Sequence, residues 1–324
     1  MSAECPEITL IIPAYNAGER FSECLNSVIR QSFSDWELII ADDGSTDGTG
    51  EIADGFASKD KRIMVLHKEN QGVSAARNAG IEASRGRYLS FVDADDRLEK
   101  DYLEELYRHA MESDADIIQC SFFFEEGVKK IPDSNPVEGV FRGSQEILNA
   151  YFKGSQGDIR LSGWSKLFRR EAFADLRFDT KLRVYEDALY VYECCKKAKT
   201  VCCFNTPLYN YVQHESSAVH SRLAEIYLDF FTMYKTQKSD VGDNSRFRKR
   251  ISAREAESAL WLMRVLSRDG NKQELWSLRE IVTKIFFEVT FSSAPFLIKL
   301  KAVSVTVMPH LYFALIARRN RKWD

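Results

Sequence analysis

Over its first 120 residues the chain switches repeatedly between short β-rich runs and stretches of helical periodicity. That alternation restricts it to βαβ units feeding a mainly parallel sheet. Strands are expected at 8–12, 37–41, 62–66, 87–92 and 116–122. After the first strand, Asn16 is placed to cap a helix and Glu19 to complete a capping-box-like pair. Phe21, Leu25, Val28 and Ile29 give that helix one apolar face. A further helix is expected over 98–113. Residues 124–143, with Pro132 and Pro136, read as a hairpin or loop excursion. A helix over 144–153, a Gly/Ser-rich loop to 163, a strand over 164–169, a helix over 186–198 and short strands at 200–205 and 208–212 follow.

A chain of 324 residues has room for about two domains. The pattern turns strongly helical near 221, and the charge changes sign with it. Residues 1–221 carry 26 Lys+Arg against 37 Asp+Glu, a net −11, and residues 222–324 carry 19 against 11, a net +8. We therefore expect domains at 1–220, with halves 1–123 and 124–220, and at 221–324. A basic region of this kind faces an anionic partner such as a membrane surface. The longest charge-free run, residues 302–317, has 16 residues, short of the ~20 that span a bilayer. Arg318, Arg319, Arg321, Lys322 and Trp323 follow it, which suits an interfacial helix; the alternative is a core helix of a C-terminal bundle. Seven scattered cysteines without CxxC spacing point to a reduced cytosolic compartment, and no basic n-region marks a signal peptide.

In open α/β sheets, ligands bind beyond the carboxyl ends of the strands. Three such ends carry polar residues here: Pro13-Ala14-Tyr15-Asn16, Asp42-Asp43-Gly44-Ser45-Thr46-Asp47 and Asp93-Ala94-Asp95-Asp96. Neither GxGxxG after the first strand nor GxxxxGK[ST] is present, so the dinucleotide and P-loop routes to phosphate binding are excluded. Alternate carboxylates at a strand exit instead suit Mg²⁺ or Mn²⁺, which take one or two carboxylates plus phosphate oxygens. Read singly, Asp42, Asp47 and Asp96 are equally helix caps, Tyr15 a packing residue and Arg77 an ion-paired side chain.

Together with Asn70-Gln71-Gly72-Val73-Ser74-Ala75-Ala76-Arg77-Asn78, these segments stand in the order and spacing of family-2 glycosyltransferases, which the chain resembles over about residues 6–215. The resemblance implies a GT-A fold: a Rossmann-like, mainly parallel sheet flanked by helices, here with a helical C-terminal extension. It also implies an inverting, metal-dependent glycosyltransferase of hexosyltransferase type. Tyr15 then flanks the nucleotide base, with Pro13 shaping the turn and Asn16 and Asp42 beside it. Asp43 accepts a hydrogen bond from the base imide, usually of uracil. Arg77, Asn78 and Ala94 line the nucleotide-sugar site, Asp93 lies by ribose and metal, and Asp95 is the principal metal ligand. Asp96 has a supporting or acceptor-side role.

Gly163-Trp164-Ser165-Lys166-Leu167-Phe168 and Tyr185-Glu186-Asp187 resemble the acceptor-side segment of the same family. Inversion by direct displacement needs a carboxylate to take the acceptor proton. Asp187 is the candidate base, with Glu186 as runner-up or orienting neighbour, though the pair also suits a helix N-terminus. Trp164 is either a wall for a sugar face or core packing, and His214 is a candidate third metal ligand. The implied partners are a nucleotide-diphosphate sugar, usually a UDP-sugar, a glycan or lipid-linked acceptor of cell-surface polysaccharide synthesis, and an anionic membrane surface. No nucleic acid is expected, and the place of action is the inner face of a bacterial plasma membrane. A sugar nucleotidyltransferase and a non-catalytic nucleotide-sugar-binding module are the competing readings.

Overall fold

The computed structural model describes residues 5–153, 158–213, 223–242, 245–269, 272–290 and 296–313. The chain divides into two compact units, one of residues 1–151 with 158–221, the other of 152–157 with 222–324.

In the first unit, β1 (Ile8–Ala14), β2 (Trp36–Asp42), β3 (Ile63–His67) and β4 (Tyr88–Phe91) pair in parallel in the order β3-β2-β1-β4. All residues of β1 and β2 are buried, as strands covered on both faces must be. Helices α1 (Arg20–Ile29), α2 (Thr49–Ala57) and α3 (Val73–Ala83) make the crossovers. Next come β5 (Arg97–Leu98), α4 (Tyr102–Ser113), β6 (Ile117–Glu126), β7 (Lys129–Pro132), β8 (Gly139–Arg142), α5 (Gly143–Tyr151), β9 (Lys166–Arg169), α6 (Glu186–Lys197) and β10 (Thr200–Val212). The sheet runs β3-β2-β1-β4-β9-β6-β10-β5, with β7 on β6 and β8 on β10. Because β9 is antiparallel to both β4 and β6, those two strands point the same way. The carboxyl ends of β1, β2 and β4, and the far ends of β6 and β10, therefore share one edge of the sheet.

Several local expectations are corrected. Asn16 does not cap α1, and Glu19, at the N-cap, makes no side-chain cap bond. The short strand β5 occupies the start of the expected 98–113 helix, so α4 begins at Tyr102. Residues 200–212 form one strand rather than two, absorbing Pro207 through register irregularities on either side of it. Pro13 lies inside β1, opposite Ala41, rather than in the turn. Ile11 turns its carbonyl toward β4, accepting the Val92 N–H at 3.1 Å. Two residues on, the imide nitrogen of Pro13 faces the same flank, where the β4 pairing has ended and no ladder bond is lost.

The second unit is helical: α7 (Leu223–Val241), α8 (Ser245–Asp269), α9 (Lys272–Lys284), α10 (Phe286–Thr290) and α11 (Phe296–Val307). Its core joins Ala259, Leu262 and Met263 of α8 to Leu278 and Val282 of α9 and Ala302 and Val305 of α11. With one face so engaged, α11 leaves Phe296, Leu297, Leu300, Val303 and Val307 exposed. No helix among the described residues is long and apolar enough to cross a membrane.

Helix α3 lies so close on β1 that a methyl group at Gly80 would overlap Cγ2 of the buried Ile11. Gly80→Ala is expected to destabilise the first unit by about 1–3 kcal/mol through overpacking, read from the midpoint of guanidinium unfolding.

Candidate active site

The site begins with loops that hold one another. Asn16, in the left-handed region at φ 48, donates its N–H to Ser45 Oγ at 3.0 Å and accepts the Thr46 N–H on Oδ1 at 2.9 Å. It therefore ties the loop after β1 to the loop after β2. Asp47 accepts both the N–H and the hydroxyl of Thr49, 3.1 and 2.6 Å away, as a residue securing the start of α2 would. Asp42 does not cap α2; it accepts the Ser45 N–H at 3.0 Å and meets His67 Nδ1 at 3.0 Å. Burial resists its ionisation, but these bonds prevail and keep its carboxyl below the usual range.

Asp43 is buried, with Oδ1 taking the Gln71 N–H at 3.0 Å and Oδ2 that of Gly72 at 2.7 Å. Each oxygen retains acceptor capacity. Tyr15, by contrast, stands 53% exposed beyond β1.

At the end of β4, Asp93 is part-exposed and Asp95 exposed, with Ala94 between them packed against the core. Asp96 turns inward. Its carboxylate accepts the Tyr209 hydroxyl at 2.6 Å and the Val212 N–H at 2.8 Å, so it fastens this turn to β10 and does not cap α4. The same hydroxyl accepts the Asp93 N–H at 3.2 Å. Burial, and then the charges of Asp93 and Asp95, push the Asp96 carboxyl well above the usual range.

Arg77 joins this edge to the acceptor-side segment. It is buried, with one Nη 3.0 Å from Asp93 Oδ1 and the other 2.7 Å from Glu186 Oε1. Burial opposes its charge, but Asp93, Glu186 and Asp187 outweigh that and hold it protonated. Its neighbour Asn78 exchanges two hydrogen bonds with the backbone of Phe178, at 2.9 and 2.8 Å. Asn78 thus fixes the segment before α6.

Glu186 and Asp187 open α6 behind Tyr185, which is held at φ 60. Asp187 accepts the Gly163 N–H at 3.1 Å and the Ala188 N–H at 2.7 Å. Burial drives both carboxyls up. Asp187 adds to the rise at Glu186, and the Arg77 charge offsets part of it at each. Ser165 is also left-handed, at φ 60, so three of the four such non-glycine residues among those described, with Asn16 and Tyr185, border this edge. Strain of this kind, roughly 1–3 kcal/mol per residue, persists only where surrounding bonds enforce it. Trp164 stacks on Tyr209 and Tyr211, its ring centroid 4.8 and 5.5 Å from theirs. One ring face is thereby committed to β10.

A divalent cation fits this edge chemically. Asp93 and Asp95 are hard oxygen donors, and their charges help to raise Asp96. Among the described residues no three His, Cys, Asp or Glu side chains converge as a metal site, and His214 lies outside those residues. Two carboxylates completed by phosphate oxygens need no third protein ligand. Sequence reasoning gave no role to Tyr209 or Lys166. Tyr209 carried no signal, whereas Lys166 stood in the sequence as a charge directly before the apolar pair Leu167-Phe168.

Residues 9–177 match the family Glycosyl transferase family 2. The Bacillus subtilis (strain 168) protein EpsH, named as a glycosyltransferase, is 33% identical over 249 residues, which cover 75% of this chain and 71% of EpsH. The crystal structure of S. aureus TarS 1-349 in complex with UDP-GlcNAc superposes with a TM-score of 0.73 at 17% identity, covering 98% of this chain and 92% of that one. The mannosyltransferase PcManGT from Pyrobaculum calidifontis, in complex with GDP-Man and Mn²⁺, gives a TM-score of 0.57 at 15% identity, covering 98% and 88%. The chain belongs to glycosyl transferase family 2, and its sheet is that of a GT-A glycosyltransferase. That membership sets aside the nucleotidyltransferase reading.

Removing the guanidinium should leave two carboxylates facing each other without their shared cation. Arg77→Met is expected to lower stability by about 3–5 kcal/mol at about pH 7.5. The deficit should shrink toward about pH 5.5, because Glu186, raised further without Arg77, then takes up a proton in the folded state. Urea unfolding at the two pH values checks both statements.

Proposed function

We propose that the chain transfers a sugar, with inversion, from a nucleotide-diphosphate donor to a hydroxyl of a glycan or lipid-linked saccharide in the synthesis of a cell-surface polysaccharide. A UDP-sugar is the donor that best suits Asp43 as acceptor for a base imide and Tyr15 as the exposed ring beside it. The observation that carries the proposal is the continuous run from Asp93 through Arg77 to Glu186 and Asp187. It supports the reading by linking the part-exposed carboxylate at the end of β4 to the acidic pair that opens α6.

Asp187 takes the proton of the acceptor hydroxyl as that oxygen bonds to the anomeric carbon, and the bond from this carbon to the diphosphate oxygen breaks with its electron pair. Glu186, bound to Arg77, orients the pair. Trp164 walls the acceptor side, and Asp96 steadies it through Tyr209. Asp93 and Asp95, with His214 as a further candidate, would hold Mg²⁺ or Mn²⁺, which when bound supplies charge neutralisation for the departing diphosphate. On this reading residues 1–123 bind the nucleotide, residues 124–220 the acceptor, and residues 221–324 the membrane surface.

The membrane assignment rests on two features of the second unit. Residues 222–324 carry a net charge of +8, and α11 has an exposed apolar stripe flanked by Lys299 and Lys301. Both suit an anionic leaflet, which would place the enzyme at the inner face of the plasma membrane, where a lipid-linked acceptor is within reach.

Asp187→Asn is expected to lower kcat by about 10²–10⁴ while donor affinity stays within a few-fold. In the parent enzyme, kcat should fall with acidification at a pH above the ordinary carboxylate range, as the raised Asp187 becomes protonated and can no longer accept a proton. Equal loss of donor affinity would remove Asp187 from the role of base. Deleting residues 295–324 should reduce co-sedimentation with anionic vesicles at least several-fold, and unchanged binding would refute the membrane assignment.

A further inference from the structure

Lys166 opens β9 with its side chain fully buried. Its Nζ donates to the carbonyl of Ser162 at 2.8 Å and reaches that of Trp164 at 3.4 Å. Near enough to act on its charge are Cys120 on β6, Cys195 on α6, Cys203 on β10 and Asp187. Burial keeps those thiols protonated, so Asp187 supplies the negative charge nearby. An ammonium sealed among thiols is unfavourable, and an apolar side chain of similar length would fill the space without that penalty.

The loop beside β9 gives the charge a use. Ser162 and Trp164, the two residues whose carbonyls meet the ammonium, flank Gly163, whose N–H reaches Asp187 Oδ2 at 3.1 Å. Ser165 follows at φ 60. The peptide group between Ser162 and Gly163 is thus held through its carbonyl by Lys166 and joined through its N–H to Asp187, and the same ammonium reaches the carbonyl of the peptide group after Trp164.

We propose that Lys166 is a positioning residue for the transfer: by gripping the loop carbonyls on both sides of Gly163 it fixes the amide that orients the Asp187 carboxylate. This rests on the reading of Asp187 as the base. Burial also pulls the ammonium down to about 8, with the Asp187 carboxylate opposing, so its charge is lost within an accessible alkaline range.

The test uses the full chain and the donor and acceptor that support turnover. Lys166→Met is expected to lower kcat by up to about 100-fold, the scale of a misplaced reacting group, with donor KM within about twofold. In an Asp187→Asn background the same change should have no further effect, because Lys166 acts through that carboxylate. The parent should lose kcat as pH rises through about 8, and Lys166→Met should lack that limb. Lys166→Gln, whose amide still donates to a carbonyl, should recover part of kcat without the limb, and it carries the comparison if the Met variant fails to bind donor. Unchanged kcat in the folded variant, or an equal fold-loss in the Asp187→Asn background, would overturn the proposal. Undiminished turnover of Asp187→Asn alone would instead remove the base reading, and this inference with it.

Discussion

The two sides of the site are joined by a buried cation, Arg77. Arg77 comes from the helix that follows β3, Asp93 from the end of β4, and Glu186 from the start of α6, more than 100 residues further along. A buried guanidinium is tolerable only when its donors are satisfied and its charge is matched. Each carboxylate in turn depends on it, since burial alone would drive Glu186 and Asp187 toward the protonated form. Removing any one member strands the others, so the two sides of the cleft are energetically one object.

Around that ion cluster, position is enforced mainly by backbone amides. Asp43 is bound by two of them, Asp187 by two, Asp96 by one and a tyrosine hydroxyl, and Asn78 by both polar groups of Phe178. Bonds of this kind fix each side chain against the backbone of a neighbouring loop. Asn16 is held in the left-handed region in a similar way, by its bonds to Ser45 and Thr46.

Much of the first unit was legible because its signals are local. Apolar runs give β1, β2 and β4 their positions, and the residues just beyond them lie at the strand ends because a parallel sheet leaves them nowhere else. The pair Glu186-Asp187 opens α6 as expected. What escaped reading depends on distant partners. Asn16 looked like a cap because capping is the commonest use of asparagine before a helix, yet its partners Ser45 and Thr46 are some 30 positions away. Pro13 looked like a turn residue because nothing local reveals that β4 stops pairing at Phe91. The Tyr209 hydroxyl and the buried Lys166 gain meaning only from strands brought together by the fold.

Strand β10 shows how finely such a junction is set. From Cys203 to Tyr209 it advances six positions while β6 advances three, from Gln119 to Phe122. The surplus is odd, and side chains alternate between faces with a period of two, so the excess residues reset the phase of everything downstream. That reset turns Tyr209 toward Asp96 and brings Tyr209 and Tyr211 under the indole of Trp164. A one-residue deletion within 204–206 would act as a vernier slipped by one notch. The strand could still pair with β6, but both tyrosines would swing to the opposite surface, unfastening the carboxylate turn and the aromatic wall in a single step.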